Sequence, residues 1–147
     1  MGSTFYSLHY HVVFSTKERR PLIRPAWKTR LHEYLGGTIR GLGGVPEKVG
    51  GVEDHVHLLI SLRTTDAPAD FVRETKKASS VWVAERTEPS FSWQEGYSIF
   101  SVSYTHSPVL RRYIETQEEH HRKIPFLEEL ERLLARNGVQ YDPKYLV

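Results

Sequence analysis

Alternation of apolar and polar positions divides the chain into strand-like and helix-like segments. Thr4 to Phe14 (TFYSLHYHVVF) alternates and predicts a first strand, followed by a basic loop from Ser15 to Arg24. Pro25 suits the first turn of a helix. Trp27, Leu31, Tyr34, Leu35 and Ile39 then recur at helical spacing until Gly41, Gly43 and Gly44 end the run. Gly36 and Gly37 lie inside this helix at a cost, which suggests close packing against a sheet. Val45 to Val52 predicts a second strand, and Gly50-Gly51 turns the chain into a third, Gly51 to Ser61. Asp66 and Pro68 start a second long helix, with Phe71, Ala78, Trp82, Val72, Ser79 and Val83 facing inward. Thr87 to Ser92 is a turn region, and Phe91 to Tyr104 predicts a fourth strand. Ser107-Pro108 starts a helix that runs to about His121. Pro125 breaks it, a short helix covers Phe126 to Arg136, and the tail reads as irregular.

The order is therefore β-α-β-β-α-β followed by two helices. The first six elements match the ferredoxin-like, RRM-like split β-α-β class of α+β fold, with a four-stranded antiparallel sheet and two helices on one face. The other sheet face is then free to carry a site. A length of 147 residues suits one domain, 1–147.

Composition narrows the setting. There is no cysteine, which excludes disulfides and thiolate metal sites. The start has neither a basic n-region nor a long apolar run, so a cytoplasmic location with no membrane partner is expected. The net charge is only +2, but residues 1–48 hold eight of the 20 Lys/Arg and three of the 18 Asp/Glu. A basic first third suggests an anionic partner. Lys17, Arg19, Arg20, Arg73, Lys76 and Lys77 are the candidate phosphate contacts.

The third predicted strand carries the chemistry. Val56, Leu58 and Ile60 share one face, and His55 and His57 share the other. The two histidine Cα atoms lie about 6.5–7 Å apart along a strand, close enough for two neutral imidazoles to lean onto one cation. On the helix from Ser107, Tyr113 and Gln117 lie four residues apart on one face. Tyrosine offers an oxygen nucleophile, and glutamine a neutral amide oxygen for a hard cation. Two imidazoles, one amide and open positions suit Mg²⁺ or Mn²⁺ better than structural zinc. Taken singly, the histidine pair reads as a polar sheet face, Tyr113 as a half-buried core residue, and His9 and His11 as structural. His120 and His121 read as helix surface.

Jointly, these motifs resemble the single-tyrosine HUH transposases, small enzymes of bacterial and archaeal insertion sequences with domesticated relatives associated with extragenic palindromes. The resemblance spans Tyr10-His11-Val12-Val13-Phe14-Ser15-Thr16-Lys17, Asp54-His55-Val56-His57, Trp93-Gln94-Glu95-Gly96-Tyr97 and Tyr113 through His121. It implies that His55, His57 and Gln117 bind the divalent cation and that Tyr113 attacks single-stranded DNA to form a 5′-phosphotyrosine link. It also implies recognition of DNA hairpins and a homodimer with active sites assembled in trans. An unprotected fourth strand without Lys, Arg or Pro (Tyr97 to Tyr104) would suit such a dimer. The alternatives are a domesticated hairpin-processing relative and a non-catalytic RRM-like nucleic-acid-binding module, though the basic-aromatic strand motif of the latter is absent.

Overall fold

A computed structural model describes residues 2–146. Its strands are β1 (His9–Ser15), β2 (Val45–Gly51), β3 (His55–Ser61) and β4 (Ser98–Val102). The long helices are α1 (Pro25–Gly41) and α2 (Pro68–Arg86), and the C-terminal ones are α3 (Ser107–Glu115), α4 (Gln117–His121) and α5 (Phe126–Arg136). The sheet order is β2-β3-β1-β4, with every pair antiparallel. The expected α+β class and split topology are therefore present. No helix among the described residues is long and apolar enough to cross a membrane.

Strand alternation assigns the two faces. Val12, Phe14, Val56, Leu58 and Ile60 point to one side and pack with Trp27, Leu31, Leu35, Ile39, Phe71, Val72 and Val83 from α1 and α2. His11, Val13, His55, His57 and Leu59 point to the other. That face was expected to be free, but α3, α4 and α5 cover it. Leu59 packs with Leu110 and Ile114, while Val13 and Phe100 pack with Phe126, Leu133 and Leu134. The face mixes imidazoles with large apolar side chains, and each of the latter gains about 1.5–3 kcal/mol by leaving water. His55 and His57 are consequently fully buried.

Other differences from expectation have local causes. β1 begins at His9 rather than Thr4, because β3 ends at Ser61 opposite His9 and leaves Phe5 and Tyr6 exposed. β4 covers only Ser98–Val102 of the expected Phe91 to Tyr104. Trp93 makes an isolated bridge to Thr16 and packs edge-on against Phe14. The helix expected to run to His121 breaks at Thr116 (φ −99°, ψ 21°), which separates α3 from α4. The tail contains a 3₁₀ turn, Pro143–Tyr145. A short 3₁₀ turn after β4 leads into α3, which packs on the sheet of the same chain with the Tyr113 and His57 rings 5.8 Å apart.

One glycine sets how closely α3 approaches. A Cβ on Gly50 of β2 would lie 2.6 Å from the Ile114 carbonyl oxygen. Gly36, by contrast, has only Pro46 nearby at 3.9 Å, so close packing does not demand glycine there. Gly50→Ala is expected to lose about 1–3 kcal/mol as α3 is pushed off the sheet. Gly37→Ala, at an exposed helical position with nothing within 4 Å, is expected to gain about 0.8–1 kcal/mol. Urea denaturation of both variants checks the pair, and equal midpoints would contradict the close approach.

Candidate active site

The site begins at the turn between β2 and β3. Gly51 has φ +151°, a value that L side chains rarely adopt, and the Val52 N–H donates to the His55 carbonyl at 3.1 Å. This turn starts β3 at His55 and aims His55 and His57 at the C-terminal helices. Nδ1–H of His55 donates to Asp54 at 2.7 Å, and its Nε2 faces Oε1 of Gln117 at 3.1 Å. Nδ1 of His57 bonds Nε2 of His11 at 2.8 Å. His11 reaches it because Val13 is the cross-strand partner of His57 and His11 lies two residues away on the same face.

The centre of the cluster is Glu129 of α5, 2% exposed. Its Oε1 accepts from Nε2 of His57 at 3.1 Å and Nε2 of His121 at 3.0 Å, with Nε2 of His55 at 3.4 Å. Its Oε2 accepts from Gln117 Nε2 at 3.2 Å and from the Tyr113 hydroxyl. Tyr113, His55, His57 and Gln117, expected to act together, are therefore gathered around one carboxylate. Tyr113 is half-buried and borders a cavity of about 140 Å³ lined also by His11, Phe100, His106, Leu133 and Arg136.

Electrostatics follow from this packing. Burial alone would depress His55, but its bonds to Asp54 and Glu129 outweigh that and raise it to about 9. Burial dominates at His57 and lowers it to about 4, despite the Glu129 bond. Burial, reinforced by His57, lowers His11 well below the usual imidazole value. Burial and the Glu129 charge push the Tyr113 phenol upward. For Glu129 burial acts upward, yet bonds from His121, His55 and His57 win and hold it below the usual carboxylate range. The cluster thus holds a carboxylate against an imidazolium on His55.

The same donors suit a cation. One atom each from His55, His57, His121 and Glu129 lies within 4.8 Å of the others. Opposite ligands of one ion with bonds of about 2.1 Å stand roughly 4.2 Å apart, so a small contraction would close the shell. Imidazole nitrogens with carboxylate and amide oxygens fit a divalent cation of the Mn²⁺ type.

The candidate phosphate contacts separate. Lys17, Arg19 and Arg20 lie on the turn after β1, whose Thr16 N–H donates to the Asp54 carbonyl at 2.8 Å, at the His55 end of the sheet. Arg73, Lys76 and Lys77 belong to α2, on the opposite face. Arg73 pairs with Asp70 at 3.0 Å. Lys76 was expected to meet phosphate, but its Nζ donates to the carbonyls of Gln94, Glu95 and Gly96 at 2.6–3.2 Å, pinning the segment before β4. Sequence reasoning missed Glu129, His121 and the bond from His11. A signal existed for Glu129, because it sits with Phe126, Leu133 and Leu134 on the apolar stripe of α5, where a charge needs a partner.

Residues 4–117 match the family described as "Transposase IS200 like". The ISDra2 transposase TnpA of Deinococcus radiodurans is 30% identical over 123 residues, covering 78% of this chain and 86% of that protein. A crystal structure of a candidate transposase from Deinococcus radiodurans superposes with a TM-score of 0.66 at 23% identity, covering 80% of this chain and 95% of that one. A REP-associated tyrosine transposase bound to a REP hairpin superposes with a TM-score of 0.61 at 14% identity, covering 82% and 74%. Those two structures share the fold. His121 and Glu129 lie beyond the residues that match the family.

Groups behind the ligands orient them, and removing such a group typically weakens a metal site 10–100-fold. Asp54→Asn removes the charge behind His55 and is expected to weaken Mn²⁺ binding by roughly that factor, as is His11→Phe behind His57. Calorimetric titration with Mn²⁺ measures both, and unchanged affinity in both variants would contradict the proposed orienting roles.

Proposed function

The chain belongs to the IS200-like transposase family, and we propose that it cuts and rejoins single-stranded DNA at hairpin-marked ends through a 5′-phosphotyrosine link on Tyr113. One observation carries this reading. The Tyr113 hydroxyl and the side chains of His55, His57 and Gln117 converge on a single buried carboxylate. A nucleophile and a ligand set this close can act on the same phosphate. The hairpin in the REP-associated neighbour supports DNA of that kind as the partner. Residues 1–147 are taken as one catalytic domain.

His55, His57 and Gln117 would hold a divalent cation, Mg²⁺ or Mn²⁺, with Glu129 and His121 completing the shell. When bound, such an ion polarises the scissile phosphate and neutralises charge on its oxygens. Asp54 and His11 hold the imidazoles in place. Glu129 fixes the direction of the Tyr113 oxygen through Oε2. That oxygen attacks phosphorus, the bond to O3′ breaks, and a free 3′-OH leaves while the 5′ phosphate stays on the enzyme. The link conserves the phosphodiester bond energy, so rejoining needs no ATP. Burial and Glu129 raise the pKa of the phenol and favour its protonated form. Nearby cationic charge acts in the opposite direction. Lys17, Arg19 and Arg20 are proposed to contact DNA phosphates at the His55 end. Arg73 and Lys77 could do so only on the far face.

A stacking module of the RRM type is disfavoured by the same face. Its sheet surface holds buried histidines under α3–α5 rather than open aromatics. A domesticated relative would use the chemistry described here unchanged.

A homodimer through β4 is proposed because that edge is unpaired in the sheet and carries no Lys, Arg or Pro. The turn that tethers α3 to β4, Tyr104–His106, buries no residue. Exchange of α3–α5 between two copies would therefore preserve the contacts described, with Tyr113 set against the partner's histidines.

Tyr113→Phe removes the nucleophilic oxygen and its bond to Glu129, worth about 1.5–3 kcal/mol with a charged acceptor. The fold and hairpin binding are expected to persist, and the boiling-resistant adduct with labelled DNA to vanish. An adduct at wild-type yield would overturn the nucleophile. EDTA should abolish cleavage by the wild type, and Mn²⁺ or Mg²⁺ should restore it. Undiminished cleavage in EDTA would overturn the metal role.

Mixed dimers of Tyr113→Phe and His57→Ala subunits are expected to regain cleavage by pairing one intact tyrosine with one intact histidine site. Heterodimers that form yet cleave nothing would exclude the exchange.

A further inference from the structure

Beside the site, α1 and the end of β2 face the junction of α3 and α4 across a cavity of about 190 Å³. Lys28 and His32 of α1, Lys48 of β2, and Glu115, Gln117 and Glu118 line it. Of these, only Gln117 has a part in the chemistry above. Nε2 of His32 is buried and has no hydrogen-bond partner among the described residues. Such a group costs free energy until a ligand or solvent oxygen meets it. Burial first, then Lys28 and Lys48, bring His32 down to about 4, so both ammonium groups act on its ring.

Each lysine has a carboxylate on it, and the pairs are lopsided. Lys28 meets Glu118, and Nζ of Lys48 meets Oε1 of Glu115 at 3.1 Å. The lysine side chains are 18% and 32% exposed, whereas those carboxylates are 64% and 49% exposed. The cations belong to the cavity, and the anions reach in from solvent. Pairs this exposed contribute little to stability and exchange readily for another anion.

We propose that this cavity is a phosphate subsite, which holds the phosphodiester of single-stranded DNA next to the one that Tyr113 attacks; the proposal rests on the transposase reading above. A phosphodiester supplies what the cavity lacks, an anionic oxygen that Nε2–H of His32 can reach while both ammonium groups neutralise the charge. Glu115 and Glu118 hold the lysines that the phosphate would take over. Gln117 joins the subsite to the site, since it lines the cavity and its Oε1 meets His55 at 3.1 Å. Adjacent phosphates of one strand can then lie on either side of it.

The test uses the full chain and a single-stranded oligonucleotide that spans the cleavage position. Lys28→Gln with Lys48→Gln is expected to weaken binding and to flatten the slope of log K against log salt by about 0.7, the share of one phosphate. A strand with one neutral methylphosphonate at the adjacent position should bind wild type and double variant equally. In wild type labelled with ¹⁵N-histidine, the His32 signal should shift on adding the DNA. That reading stands even if the double variant fails to fold. An unchanged slope with a stationary His32 signal would overturn the subsite. A shift with inorganic phosphate but none with DNA would overturn the strand as its occupant. Adduct formation by wild type is scored in parallel, so loss of the subsite and loss of the Tyr113 assignment give different results.

Discussion

A carboxylate buried among imidazoles governs the C-terminal half of this molecule. Glu129 would be costly to bury alone, because desolvating a charge is repaid only by close partners. Here those partners are His55, His57, His121, Gln117 and Tyr113, drawn from β3, α3 and α4. The pairing fixes three things at once. It seats α5 on the sheet, holds the phenol in direction, and keeps two imidazoles converging on one point. Removing one member of such a buried pair typically costs about 3–5 kcal/mol, comparable to the packing of a large core side chain. The polar centre and the apolar contacts of Phe126, Leu133 and Leu134 therefore support the same docking of α5.

How much of this was legible in the sequence follows from the range of each interaction. The faces of β3 were readable because alternation is local. Val56, Leu58 and Ile60 turned out to pack under α1 and α2, with His55 and His57 opposite. Tyr113 and Gln117 were readable as a helical pair, and they remain neighbours across the break at Thr116. Glu129 was not readable as a site residue, since its partner His57 lies 72 positions away. Its place on an apolar stripe said only that it would need partners. His11 looked structural because its bond to His57 depends on the β1–β3 register, which no local pattern specifies. The length of β4 failed for a related reason. Phe91 and Trp93 have strand-like composition, yet they find their partners in the core with Phe14 and Trp27 rather than in the ladder.

Small geometric permissions make the arrangement possible. A side chain at Gly50 would strike Ile114, and Gly51 takes a backbone value that other residues resist. The first allows α3 to sit against β2, and the second starts β3 in the register that faces its histidines toward α3. Neither glycine touches the reacting groups. Each acts by placing a backbone, which is why the stretch before Asp54 matters to a site whose chemistry lies elsewhere.

Charge accounting then ties the cluster to its expected substrate. The His55 imidazolium faces two carboxylates, Asp54 at 2.7 Å and Glu129 at 3.4 Å. Ligation requires neutral imidazoles. The two charges of a dication held by His55, His57 and Gln117 would then be offset by those two carboxylates, which is what a doubly charged ion needs in a low-dielectric interior. Neutral ligands alone in place of Glu129 and Asp54 would leave both charges uncompensated. The single negative charge of a phosphodiester would fall to cationic side chains outside the centre. Lys17, Arg19 and Arg20 follow β1 at the His55 end of the sheet. The acidic residues thus match the centre to a dication, and the basic turn is what would match its surroundings to an anionic strand.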